Sequence, residues 1–280
     1  MAGADFTLMG IVNVTPDSFS DGGTFDSASA AIAHGRRLVG EGAEIVDVGG
    51  ESTRPGADRV PAEAELRRVL PVIEGIAGAG AQISVDTMKL EVARAAVDAG
   101  ATYVNDVTAF RHDPGMAAFV AEGGLDCCLM HMLGEPRTMQ VDPRYDDVVS
   151  DVKAFLEERL AFAVAEGVAE ERVMLDPGIG FGKTLEHNLE LLRRLDELAA
   201  LARPLVVGVS RKSFIGRITG RDVAERAVGT AAANVLALER GARVFRVHDV
   251  AVTRDALQVA TATLRATWTP TTTRTTTTTS

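Results

Sequence analysis

Eight short apolar runs along this 280-residue chain each end in a polar or glycine-rich turn, which then gives way to a helix-like stretch. In order they are GIVNVTPDSFSDGG (10–23), IVDVGGESTRPGA (45–57), ISVDTMK (83–89), YVNDV (103–107), CLMHM (128–132), VMLDPGIGFGKT (173–184), LVVGVSRKSFIG (205–216) and VFRVHDV (244–250). Each is long enough for one strand buried on both faces. Eight strand-then-helix units predict an α/β chain folded as a single (β/α)8 TIM barrel of parallel strands. That architecture gathers every strand end around one mouth, so function is to be read from those ends together.

The expected strands are 8–13, 44–48, 82–85, 102–105, 126–130, 172–175, 205–208 and 243–247. Between them the pattern predicts helices at 28–41, 62–78, 89–99, 114–122, 145–166, 186–200, 222–240 and 251–265. In the helix at 145–166, Val148, Val149, Val152, Phe155, Leu156, Leu160 and Val164 recur at spacings of three and four and form an apolar stripe. Gly42, Gly80, Gly100, Gly167 and Gly241 fall just past helical stretches, where a left-handed cap is wanted before the next strand. The loops after strands 1 and 2 (14–26 and 49–61) are long, and glycines flank them, as in lids over a mouth. Thr267–Ser280 is almost all threonine with no apolar periodicity, and is expected to be a disordered tail to a domain of residues 1–266.

A net charge of −10 argues against a nucleic-acid partner, which requires a basic face. No run of about 18 apolar residues suggests a membrane span, and the N-terminus lacks a basic-then-apolar leader, so a cytoplasmic protein is the expectation. Cys127 and Cys128 are adjacent and point to opposite faces of a strand, which excludes a disulfide between them and suits a reducing compartment. No HExxH or paired CxxC exists, and a transition-metal site is not expected.

Asp86, Asn105 and Asp176 end or follow apolar strands, and Lys212 follows another. Buried carboxylates need partners. Any one of these residues could serve a structural hydrogen-bond network, but four at separate strand ends point to a pocket for a flat, nitrogen-rich heterocycle such as a pterin. Asn13, Arg54, Arg246 and His248 come from units 1, 2 and 8, neighbours once the barrel closes. A lone arginine is usually a surface ion pair and a lone histidine a satisfied polar residue. Donors gathered at one rim of an acidic protein instead suggest a phosphate or diphosphate. Arg246 and His248 flank Val247 and so project to one side. Met130 is a candidate flexible wall, while His34, His112 and His187 read as structural.

With these stretches in order and at barrel spacing, residues 7 to 265 resemble the dihydropteroate synthases, folate-pathway enzymes targeted by sulfonamides. The resemblance implies a transferase that joins 6-hydroxymethyl-7,8-dihydropterin diphosphate to p-aminobenzoate, releasing diphosphate. Carried over by position, Asp86, Asn105, Asp176 and Lys212 would bind the pterin. Asn13 would be the protein ligand of a Mg2+ that holds the diphosphate, with Arg246 and His248 its direct binders. Thr53 and Arg54 match a loop serving the diphosphate and p-aminobenzoate sites, and Phe19 and Asp21 match residues that close over the reacting groups. Phe181, Lys212 and Ser213 resemble the wall that receives p-aminobenzoate, with sulfonamides as competitors. Members commonly form homodimers, and Val228, Ala231, Val235, Leu238, Leu257 and Leu264 on the late helices could face either a partner or the barrel. A non-catalytic pterin-binding paralogue and a methyltetrahydrofolate-using pterin-barrel methyltransferase are the rival readings. The rim donors and the SRKSFIG segment disfavour the latter.

Overall fold

Strands and helices alternate along the chain as the apolar runs require. The computed structural model describes residues 5–15, 24–53 and 56–265, with backbone alone for 24–27. Its elements run β1 (Thr7–Asn13), α1 (Thr24–Glu41), β2 (Ile45–Gly49), α2 (Ala62–Ile76), β3 (Gln82–Asp86), α3 (Leu90–Asp98), β4 (Tyr103–Asp106), α4 (Met116–Gly123) and β5 (Asp126–Met130). There follow α5 (Val148–Ala165), β6 (Val173–Asp176), α6 (Leu185–Arg193), α7 (Leu195–Ala199), β7 (Val206–Val207), α8 (Ser213–Thr219), α9 (Ala227–Glu239), β8 (Val244–Val247) and α10 (Val250–Arg265). All pairings are parallel, in the order β6-β5-β4-β3-β2-β1-β8-β7. A parallel bridge between Leu175 and Leu205 joins the last two edges and closes the barrel.

Two cores result from the two faces of each strand. Outward-facing residues such as Val46, Val85, Val104, Cys127, Leu129, Leu175 and Phe245 pack beneath the helices in one continuous cluster. Burying each such aliphatic side chain stabilises the fold by about 1.5–3 kcal/mol. Inside, Met9, Ile45, Tyr103, Cys128, Met174, Val206 and Val244 form a plug across the barrel. Both thiols are free and buried, one in each core. Strand side chains alternate, so two residues beyond the plug the inward set is Ile11, Asp47, Asn105, Met130, Asp176, Gly208 and Arg246. The barrel is thus apolar at mid-height and polar immediately above.

Local signals explain most boundaries. Gly42, Gly80, Gly100, Gly167 and Gly241 all have φ between 96° and 115°, the left-handed conformation that turns each helix toward the next strand. Asp147 caps α5 by accepting from the Ser150 amide at 2.7 Å. Val148, Val149, Val152 and Leu156 of its stripe are buried, Phe155 and Leu160 pack against the core, and Val164 is exposed. Three stretches differ from expectation. The helix expected at 186–200 breaks into α6 and α7 at Arg194, whose guanidinium draws together Asp147, Glu190 and Glu197. The segment after β7 forms α8, where Phe214 and Ile215 are buried and Gly220 ends the helix at φ 70°. The helix expected to begin at 222 starts at Ala227, after a separate short turn at Val223–Glu225. The tail from 267 lies outside the described residues.

Candidate active site

The floor of the mouth is an interlocked set of charges. Asp47 lies on β2 with no exposed surface. Its Oδ1 accepts from Ser84 Oγ at 2.5 Å, and its Oδ2 accepts from Asn105 Nδ2 at 3.1 Å and Arg246 Nε at 2.6 Å. Arg246 then donates through Nη2 to Asp86 Oδ2 at 2.7 Å. One guanidinium therefore bridges two carboxylates from β2 and β3, a geometry suited to its rigid fork. Burial pushes the Asp86 carboxyl up to about 7, with Asp47 adding to the rise and Arg246 offsetting part of it. The same two acids hold the Arg246 guanidinium charged.

The opposite side is built from β6 and β7. Asp176 is buried, and its Oδ1 accepts from the Gly178 amide at 2.6 Å. A side chain at Gly208 would stand 3.9 Å from Asp176 Oδ2, 3.9 Å from Lys212 Nζ and 4.0 Å from Arg246 Cβ, so a glycine there leaves open the point where three charged residues converge. Burial raises the Asp176 pKa, and the Lys212 ammonium is the main opposing influence. Burial also lowers Lys212 to about 8. Lys212 Nζ lies 4.5 Å from the centre of the Phe181 ring and donates to the Ile179 carbonyl. Phe181 in turn packs on Val107, Met130, Met132 and Met139, an apolar and deformable wall.

His248 sits at the lip, two residues beyond Arg246. Ser210 Oγ accepts from the His248 amide at 3.1 Å and meets His248 Nδ1 at 2.9 Å. Asn13 ends β1 half-buried, next to Gly49 on β2. Thr53 is half-buried in the loop after β2, and Ser213 is exposed as the first residue of α8. Asp47, Asp86 and Asp176 face Arg246 and Lys212, so three carboxylates meet two cations. Carboxyls raised by burial ionise more readily beside a positive charge, so the slot suits a guest that becomes cationic.

A sequence profile described as Pterin binding enzyme matches residues 9–248. The dihydropteroate synthase of Escherichia coli K12 is 50% identical over 260 residues, covering 92% of each chain. A Xanthomonas albilineans dihydropteroate synthase solved with 4-aminobenzoic acid superposes with a TM-score of 0.87 at 52% identity, covering 92% of this chain and 93% of its own. The chain belongs to the dihydropteroate synthase family of pterin-binding transferases. A Yersinia pestis dihydropteroate synthase in a sulfonamide drug complex is also similar, at TM-score 0.87 and 44% identity, over 92% of this chain and 94% of its own. The X. albilineans protein has further been solved in complex with 7,8-dihydropteroate (TM-score 0.84, 49% identity, covering 92% and 93%).

Of the residues singled out in the sequence, Asp86, Asn105, Asp176, Lys212, Arg246, Met130 and Phe181 meet at one mouth, with Asn13 and His248 at the ends of β1 and β8 and Thr53 and Ser213 on the segments that follow β2 and β7. Phe19, Asp21 and Arg54 lie outside the described residues. Arg246 sits one layer deeper than its grouping with the rim implies, because it is held by the floor acids. Sequence reasoning missed Asp47, Ser84, Ser210 and the buried His131–Lys183 contact at 2.8 Å. An acid inside the run IVDVG was the available signal for Asp47.

Proposed function

We propose that this protein condenses 6-hydroxymethyl-7,8-dihydropterin diphosphate with p-aminobenzoate by an SN1-like substitution at the pterin methylene. Asp86, Asn105, Asp176 and Lys212 hold the ring through donors and acceptors at its edge. The bond from methylene carbon to diphosphate oxygen breaks first, and its electron pair leaves with the diphosphate. The positive charge left on carbon spreads into the ring, where Asp86 and Asp176 stabilise it. The aniline nitrogen of p-aminobenzoate then forms the new C–N bond and passes its proton to the released diphosphate. His248 at the lip offsets charge on the departing group, and Arg246, held one layer deeper by the floor acids, adds positive charge from below. Phe19, Asp21, Thr53 and Arg54 belong to the loops proposed to exclude water from the cation. The observation that carries this reading is the convergence of Asp176, Lys212 and Arg246 on the space at Gly208.

Asn13 fits a Mg2+ role. Its amide presents a hard oxygen at a half-buried strand end, and no group of three or more His, Cys, Asp or Glu exists among the described residues to bind a metal by protein alone. Such a donor suits an ion held mainly by substrate phosphate oxygens and water. When bound, Mg2+ would supply countercharge to the diphosphate. Sulfonamides are proposed competitors at the Phe181, Lys212 and Ser213 wall.

A homodimer is the proposed assembly, because Val228, Leu236, Val259 and Leu264 on α9 and α10 are 50% to 77% exposed. Ala231, Leu238 and Leu257 of the same helices face the barrel. A cytoplasmic location is the proposed one, compatible with two buried free thiols, and no described helix is long and apolar enough to cross a membrane. The deciding assay supplies purified protein, both substrates and Mg2+. Equal yields of diphosphate and dihydropteroate support the reading, whereas pterin binding without diphosphate release refutes it.

A further inference from the structure

The turn from β6 to α6 carries Phe181 between glycines with φ of 66° (Gly178), 86° (Gly180) and 63° (Gly182). Four successive carbonyls of this turn each accept a hydrogen bond from a side chain. Ile179 accepts from Lys212, Gly180 from Gln140 Nε2 at 2.7 Å, Phe181 from Lys183 Nζ at 2.9 Å and Gly182 from Tyr145 Oη at 2.7 Å. On the amide side, Asn188 Oδ1 accepts from Gly180 N at 2.6 Å. A glycine-rich segment with little intrinsic stiffness is thereby fixed from β5, α6 and β7 sides at once.

Lys183 is the most unusual of these donors. It is 3% exposed, and its amine also meets Nδ1 of His131, itself 5% exposed, at 2.8 Å. A neutral amine has two N–H groups, and it finds two acceptors here, the imidazole nitrogen and the Phe181 carbonyl. Burial favours the uncharged form of both partners. The rings of His131 and Phe155 of α5 meet edge to face, with centroids 4.9 Å apart, which fixes the imidazole in turn.

We infer that Lys183, set by His131, and Tyr145 are positioning residues that hold Phe181 as one wall of the p-aminobenzoate site, and so govern recognition of the amine rather than of the pterin. The inference rests on the proposed role of Phe181. The test uses the full chain with Lys183→Met and Tyr145→Phe, each made in the parent and in a Phe181→Ala background. Steady-state kinetics give KM for p-aminobenzoate, and titration gives Kd for the pterin diphosphate. Each variant is expected to raise that KM about five- to tenfold, the effect of about one buried hydrogen bond, while the Kd stays unchanged. Added to Phe181→Ala, neither should raise KM further. Equal rises in both backgrounds, parallel loss of pterin affinity, or an unchanged KM overturns the inference. An unchanged KM in Phe181→Ala alone overturns the reading of Phe181 and the inference with it. Should Lys183→Met fail to fold, Tyr145→Phe at its half-buried position decides the matter alone.

Discussion

Replacing Asp47 with alanine should damage the floor of the mouth more than any substitution of a residue that points into solvent. The change strands three donors: Ser84 Oγ, Asn105 Nδ2 and Arg246 Nε, at 2.5, 3.1 and 2.6 Å in the parent. A stranded buried donor costs about 1–3 kcal/mol, and removing one partner of a buried ion pair costs about 3–5 kcal/mol. Ser84 can re-aim its hydroxyl and Arg246 keeps Asp86, so the expected loss is about 3–5 kcal/mol rather than the full sum. At about 2–4 °C per kcal/mol for a domain near this size, Tm should fall by roughly 6–20 °C.

Asp47→Asn separates charge from shape. Arg246 and Asn105 both donate to Oδ2, so an amide oxygen there keeps both bonds, while an NH2 in the Oδ1 position donates to Ser84 Oγ once that hydroxyl turns away. Its Tm should fall less, because only the charge facing Arg246 is lost, no donor is stranded, and Arg246 keeps Asp86. Thermal unfolding at one scan rate, with pterin titration on both variants, checks the argument. An alanine variant melting within about 2 °C of the parent, or an asparagine variant equally destabilised, would refute it.

Three further outcomes are expected. The mechanism needs Asp86 ionised, hence pH above about 7, and Lys212 protonated, hence pH below about 8, so kcat/KM for the pterin diphosphate should fall on both sides of a narrow maximum. A profile flat from about pH 6 to about pH 9 would contradict that assignment. Ser210→Ala should weaken binding of the pterin diphosphate about fivefold through lost orientation of His248, and leave the unphosphorylated pterin alcohol unaffected in parallel titrations. Gly178→Ala places a Cβ 1.8 Å from the His131 carbonyl oxygen, whereas Gly124→Ala, also at positive φ, meets nothing within 4 Å. The second should cost about 1 kcal/mol and the first at least about 3, so equal urea midpoints would contradict the close approach.

Strand ends were legible because a polar residue closing an apolar run is costly unless something needs it there. Asp86, Asn105 and Asp176 announced themselves in this way. Asp47 did not, because β2 is buried on both faces and reads as a continuous apolar run, in which an acid carries no mark of the side it faces. Only the register with Ser84 and the closure of β8 beside β1 show that it points inward to Arg246. Lys183 follows a run of glycines that reads as a solvated loop, and its burial depends on His131 from a different unit. At seven residues, α8 is too short for helical periodicity to register, and the break at Arg194 is set by Asp147 on the neighbouring α5 unit.

The central claim is that the polar layer above the barrel plug seats a pterin. Calorimetric titration of 6-hydroxymethyl-7,8-dihydropterin into the parent and into Asp176→Asn tests it most directly, since asparagine keeps an oxygen for the Gly178 amide while losing the charge beside Lys212. Binding to the parent, weakened about ten- to hundredfold in the variant, is the expected result. Equal affinity for both proteins, or none for the parent, would contradict it.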